Sequence, residues 1–134
     1  TITGSCAEGI KVPYNLYFSG GTIGLKDIAN GKEKYIPGIT ASGLGSKGIS
    51  VGGDMVVSEE HNTTLIVINA TGTDYEDPET DETKRCMGIK VDNNMTVNAG
   101  TIRVYNTGVG TRGIRVKGIY TYNGGDVKGS IYTQ

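Results

Sequence analysis

The sequence predicts an all-β protein, a parallel β-helix of about four coils with loops inserted at one corner, in which residues 1–134 form a single domain. The dipeptide Gly-Ile recurs four times, each time followed by apolar residues at matching positions. Short runs of alternating apolar and polar residues, separated by glycine, asparagine or aspartate, are typical of short strands joined by turns. With 22 glycines, no tryptophan and one phenylalanine, the chain has little material for a conventional globular core.

The repeat begins at Gly-Ile, with the glycine taken as position zero. The four copies start at Gly9, Gly48, Gly88 and Gly113, at intervals of 39, 40 and 25 residues. Valine stands at position three of every copy. Apolar residues follow at positions seven and nine: Leu16 and Phe18, Met55 and Val57, Met95 and Val97, Tyr120 and Tyr122. The shortest interval is long enough for three short strands and three corners, so each copy is predicted to be one coil.

The third copy shows the three strands most clearly, as the runs "GIKV", "NMTV" and "TIRV". Alternation with period two places one set of apolar side chains on the same side of the backbone: Ile89, Val91, Met95, Val97, Ile102 and Val104. A single coil cannot bury this face. A second coil stacked about 4.8 Å away would pair every strand in parallel and close a continuous core. A β-sandwich with accidental internal similarity is the alternative.

The differences in copy length are concentrated after the third run of each copy. Residues 27–47 and 73–87 hold the extra sequence, and we expect both segments to emerge at the same corner of successive coils. In repeat folds, loops on one face often carry the function. Position ten is serine or asparagine in all four copies, which predicts a ladder of hydrogen-bonded side chains at another corner: Ser19, Ser58, Asn98 and Asn123.

The pattern "GIKVDNNMTVNAGTIRVYNTG" and the strand endings "YNGGDV" and "FSGGTI" carry a family resemblance. Together they resemble the β-helical carbohydrate-binding domains of exported bacterial proteins, which are related in fold to pectate lyases. The resemblance covers essentially the whole chain. It implies a right-handed helix, in agreement with the crossover rule for parallel strands. It also implies an extracellular or cell-surface protein that binds plant-type polysaccharide, often with calcium.

Outward-facing positions supply the candidate glycan contacts. Position two reads Lys11, Ser50, Lys90 and Arg115, and position fifteen adds Arg103 and Lys128. Stacking would align the first set as a basic ladder, and guanidinium and ammonium groups bind the carboxylates of a polyuronate. The alternative is that these charges only solvate an exposed sheet face.

Tyrosines are the second kind of candidate contact, because sugars stack on aromatic faces. Four of them are predicted at outward, corner or insertion positions: Tyr17, Tyr35, Tyr75 and Tyr105. The absence of tryptophan weakens this prediction.

The segment "TDYEDPETDETK" is the candidate metal site. Its oxygen ligands for calcium would be Asp74, Glu76, Asp77 and Asp81. The spacing lacks the EF-hand pattern of glycine at the sixth place and glutamate at the twelfth, so a solvated acidic loop is the alternative.

Charge and motifs argue against several classes of function. The net charge of −1 provides no general attraction to nucleic acid, and no apolar run is long enough for membrane insertion as a helix. The lone histidine, His61, and the lack of visible paired carboxylates leave catalysis without a recognisable constellation. We therefore expect non-catalytic binding of polysaccharide, in particular acidic, uronate-containing polysaccharide. A structural or adhesive stalk without a glycan site, or a fragment of a polysaccharide lyase, are the alternatives.

The chain opens in mid-pattern at "TITG". We therefore expect it to be a piece of a longer protein, whose other coils or domains would be its neighbours.

Overall fold

The computed structural model describes residues 1–108 and 110–133, and their regular structure is β throughout. The first repeat contains β1 (Glu8–Val12), β2 (Leu16–Phe18), β3 (Gly21–Ala29), β4 (Lys32–Pro37) and β5 (Ile39–Ala41). The second contains β6 (Lys47–Val51), β7 (Met55–Val57), β8 (Thr64–Ala70), β9 (Tyr75–Glu76) and β10 (Thr83–Lys84). The third contains β11 (Met87–Val91), β12 (Met95–Val97) and β13 (Thr101–Asn106). The fourth contains β14 (Arg112–Val116), β15 (Tyr120–Tyr122) and β16 (Asp126–Lys128), and β17 (Ile131–Thr133) follows. In this described part of the chain, no helix has the length and apolarity needed to cross a bilayer.

Three sheets are built by parallel pairing of equivalent strands from successive repeats. The first sheet has the order β1-β6-β11-β14-β17, and the second has the order β15-β12-β7-β2. The third runs β16-β13-β8-β3, with β4 added antiparallel and β5 also paired to β8. The all-β class with parallel sheets is thereby confirmed, and antiparallel sandwich pairing is excluded. Strand β17 continues the first sheet by one strand beyond the four copies recognised in the sequence.

The register matches the repeat position by position. Ile49 pairs with Ile89, and Ile89 pairs with Ile114, while the valines at position three form a parallel row beside them. The isoleucines and Val51, Val91 and Val116 have no exposed surface and belong to one core cluster between the sheets. Apolar residues of the first and fourth repeats, such as Leu16 and Tyr120, are only partly buried. The core is therefore complete in the middle repeats, where each residue has a like neighbour on both sides.

Asparagine and aspartate side chains bind successive repeats together at two corners. Asn123 Nδ2 donates to Asn98 Oδ1 at 2.8 Å, which confirms part of the ladder predicted at position ten. A second row lies between the first and second sheets, where Asp54 Oδ1 accepts a hydrogen bond from Asn93 Nδ2 at 2.7 Å. In the next repeat, Asn94 Oδ1 accepts one from the backbone amide of Ile119 at 2.8 Å. These bonds satisfy corner groups that have no partner within their own repeat.

The two insertions leave the stack at different points, which corrects the expectation of a single corner. Ile23 pairs with Ile66 and Ile39 pairs with Ile68, so residues 24–38 interrupt the third strand opposite Val67. They form the β3–β4 hairpin, closed by an Asn-Gly turn with positive φ at both residues, and the hairpin buries Val67 completely. The second insertion lies at the corner between β8 and β11, as predicted. Residues 39–41 complete the interrupted strand. The sequence prediction places them in the loop 27–47, because it locates the insertion only from the difference in repeat length.

Candidate functional site

A cavity of about 360 Å³ opens on the outer side of the first sheet. We call it the basic cavity, because one carboxylate, that of Glu8, lines it together with six cationic side chains: Lys47, Lys84, Arg85, Lys90, Arg112 and Arg115. Cys6, Thr83 and Met87 complete the lining. Strands β6, β11 and β14 form the floor, and β10 forms part of the rim. A concave surface with this excess of positive charge is chemically suited to an anion.

Part of the basic cavity comes from the ladder predicted at position two. Strand pairing places Lys11 beside Ser50, Ser50 beside Lys90, and Lys90 beside Arg115. Lys90 Nζ lies 3.2 Å from Oδ1 of Asp92, a residue that does not line the cavity. Lys11 is exposed but does not line the cavity, since Ser50 separates it from Lys90. The ladder is thus present in register, with its basic end at Lys90 and Arg115 inside the concavity.

The other part comes from residues that the sequence did not single out, at the position before each repeat glycine. Glu8, Lys47, Met87 and Arg112 are aligned there by the strand register. Strict alternation with the inward isoleucine would have placed them inside. A Cβ on Gly88 would collide with core residue Val104, so the glycine also faces the core. Because the glycine and the isoleucine after it both face the core, the alternation of inward and outward positions shifts by one residue, and the residue before the glycine faces outward. The recurrence of glycine at this place was the signal that could have revealed it.

Lys47 is the most deeply held cation of the basic cavity. Only 7% of its surface is exposed, and its Nζ donates to the backbone carbonyl of Gly45 at 2.8 Å. Burial lowers the pKa of this ammonium group, and the nearby charge of Lys90 lowers the pKa further. One hydrogen bond leaves donor capacity on the ammonium group for a bound anion, whose negative charge would offset both effects.

The second insertion provides part of the rim of the basic cavity, and the last strand contacts one of the lining side chains. Gly45 has a φ of +65°, and a Cβ there would press on Tyr75, so glycine lets the insertion lie close to the sheet. Arg85 Nη1 is fixed by Asp74 Oδ2 at 3.3 Å. On the opposite side, the Arg112 guanidinium stands 5.0 Å from the ring centroid of Tyr132. These contacts order two of the cationic side chains.

Two polar atoms of the cavity residues are buried and have no hydrogen-bond partner. They are Glu8 Oε2, an acceptor, and Arg115 Nε, a donor. Groups of this kind are rare in folded proteins, because leaving them unsatisfied is costly.

Arg103 and Lys128 lie beside each other on the third sheet, away from the strands that form the basic cavity. Arg103 is only 4% exposed, because the β3–β4 hairpin covers it. Its Nη2 donates to Asp126 Oδ2 at 2.7 Å, and its guanidinium stacks 4.6 Å from the ring centroid of Tyr35. This hydrogen bond lowers the pKa of the Asp126 carboxyl. The expected outward contact is therefore a structural bridge between the hairpin and the sheet.

The four candidate tyrosines do not form one surface. Tyr17 is 67% exposed on the second sheet, while Tyr105 lies on the third. Tyr35 is stacked on Arg103, and Tyr75 packs in β9 against the Gly45 corner. None of the four lines the basic cavity.

Two aspartates of the acidic segment have partners within the protein. Asp74 is paired with Arg85, and Asp77 Oδ1 accepts from the backbone amide of Glu79 at 2.9 Å. Among the residues described, no group of three or more His, Cys, Asp or Glu side chains is placed to hold a metal ion, including Glu76 and Asp81. Calcium binding by this segment stays a prediction of the sequence.

Fold and cavity define an all-β repeat protein with a cation-lined concavity on one outer face. No protein-family model, curated protein or solved structure significantly matches the chain. Its function is therefore inferred from its own geometry.

Proposed function

We propose that this protein binds acidic polysaccharide, without catalysis, on the outer face of the first sheet. The observation that carries the proposal is the basic cavity, which is lined by six cationic side chains and one carboxylate in a protein of net charge −1. Two of the cations, Arg85 and Lys90, are also paired with Asp74 and Asp92. Positive charge concentrated on one concave face of a nearly neutral chain selects an anionic ligand over a neutral one. The uronate carboxylates of a polysaccharide match the guanidinium and ammonium groups present.

The repeat architecture supports a polymeric ligand over an isolated anion. Stacked strands space equivalent side chains about 4.8 Å apart, so Lys90 and Arg115 are neighbours along the stacking direction. Lys11 extends this row beyond the cavity, after the gap at Ser50. A chain that carries a carboxylate on each unit can contact the cavity and the exposed row together, which raises its affinity over that of one unit.

The finer architecture belongs to the same proposal. We take the three parallel sheets as the faces of a right-handed parallel β-helix of about four coils, in line with the handedness of parallel crossovers. An exported bacterial protein at the cell surface, attached to further coils or domains, is the setting in which such a surface would meet polysaccharide. A stalk without a glycan site is the alternative, and the binding experiment separates the two.

Electrophoresis of the protein through native gels that contain polysaccharide tests the proposal. We expect retardation by polygalacturonate and none by neutral galactan. Raising the ionic strength from about 0.05 to 0.5 M should abolish most of the retardation, because salt screens exposed charge pairs. Equal retardation by both polymers, or none by either, would refute acidic polysaccharide as the ligand.

A further inference from the structure

We infer that the basic cavity is a subsite for one sugar-acid residue, in which cations bind the carboxylate and Glu8 accepts a hydrogen bond from a sugar hydroxyl. This inference rests on the proposed function and names the unit that the cavity selects. Such a subsite would bind hydroxylated anions more tightly than anions without hydroxyl groups, which a purely cationic surface would not do.

Glu8 is the observation that requires a ligand with donors. A carboxylate in a cavity meant only for anions would weaken binding through repulsion. The Glu8 carboxylate nevertheless lines the cavity, and its Oε2 has no hydrogen-bond partner within the protein. An ionised carboxylate accepts hydrogen bonds and donates none, so a ligand that satisfies it must present an O–H or N–H group. Sugar hydroxyls are such groups.

Arg115 requires a ligand with acceptors. Arg115 lines the same cavity, and its Nε has no hydrogen-bond partner within the protein. Only 7% of the surface of Lys47 is exposed, and its ammonium group donates one hydrogen bond, to the backbone carbonyl of Gly45. The Lys47 ammonium group and the Arg115 guanidinium can each donate a charge-assisted hydrogen bond to a carboxylate.

Glu8 and Arg115 together therefore favour a ligand that carries an anionic group and hydroxyl groups on one compact frame. A volume of about 360 Å³ lies at the small end of the range for ligand pockets, which suits one monosaccharide unit better than a branched oligosaccharide. A uronate residue combines a carboxylate with ring hydroxyls. A free sugar acid carries the same groups, so the experiment below includes both a free sugar acid and a fragment of the polymer.

The test compares galacturonate with cyclohexanecarboxylate, which has the same ring size and charge but no hydroxyl groups. Both are titrated into the isotopically labelled protein and followed by two-dimensional NMR, with trigalacturonate as the polymer-derived arm. We expect the wild-type protein to bind galacturonate about tenfold more tightly than cyclohexanecarboxylate. Glu8→Ala should weaken the binding of galacturonate about tenfold, because a hydrogen bond to a hydroxyl group is lost. The binding of cyclohexanecarboxylate should stay unchanged or become tighter, because a repulsive charge is removed. Glu60→Ala is the matched control, since it removes an exposed carboxylate that does not line the cavity.

The outcomes separate this inference from the proposed function. If Glu8→Ala tightens both ligands alike, Glu8 only repels anions and the subsite is refuted. If polygalacturonate binds but neither sugar acid perturbs the cavity residues, the subsite is refuted while the proposed function stands. If trigalacturonate binds and galacturonate does not, the unit is recognised only within a polymer, which supports the polysaccharide as the source. If neither polymer nor sugar acid binds, both are refuted.

Discussion

Replacing Lys90 and Arg115 together by serine is expected to weaken polygalacturonate binding by at least about tenfold, with the fold intact. Both side chains point outward from adjacent strands into the basic cavity, so the core is not disturbed. Charge-assisted hydrogen bonds to a carboxylate contribute about 1.5–3 kcal/mol each, although exposure to solvent reduces this figure. The dissociation constant for polygalacturonate, measured by affinity electrophoresis at several polymer concentrations, provides the comparison.

The matched control for this variant is the double substitution Lys32→Ser and Lys34→Ser. These lysines are exposed on β4 and do not line the basic cavity, yet their removal changes the net charge equally. We expect the control to bind almost as the wild-type protein does. Equal loss in both variants would mean that only total charge matters, and that the cavity is not the site.

Ile89→Ala is expected to lower the free energy of unfolding by about 2–5 kcal/mol. Ile89 has no exposed surface and lies in a row between Ile49 and Ile114, so the truncated side chain leaves a gap between two repeats. The total free energy of unfolding of a single-domain protein is about 5–15 kcal/mol, so a large share of the stability would be lost. Urea unfolding followed by circular dichroism measures the change.

Thr96→Ala is the control for this prediction, because Thr96 faces outward on β12 and makes no core contact. We expect its unfolding free energy to stay within about 1 kcal/mol of the wild-type value. If Ile89→Ala unfolds at the same urea concentration as Thr96→Ala, the row of stacked isoleucines does not stabilise the repeats.

The all-β class and the parallel pairing of equivalent strands could be predicted from the sequence, because stacked repeats place equivalent residues next to each other. The apolar row from Ile49 to Ile114 and the hydrogen bond between Asn98 and Asn123 follow directly from the spacing of the copies. The β3–β4 hairpin could not be placed, since a strand that is interrupted and then resumed at residue 39 looks like one long loop in the sequence.

The candidate site could be predicted only in part. Lys90 and Arg115 followed from alternation, but Lys47, Arg112 and Glu8 did not, because the repeat glycine faces the core and reverses the phase. Whether an outward cation is free also depends on what folds over it. Alternation placed Arg103 outside correctly, yet a hairpin from another repeat covers it and pairs it with distant side chains.

Mapping the binding surface of trigalacturonate by two-dimensional NMR tests the central claim most directly. If the first sheet binds acidic polysaccharide, backbone amide signals from β6, β11 and β14 should shift together on titration, with the largest changes near Lys47, Lys90 and Arg115. Signals from the β3–β4 hairpin and from the third sheet should stay unchanged, and added salt should reverse the shifts. Changes centred on the hairpin or the third sheet, or no changes at saturating ligand, would contradict the assignment of function to this face.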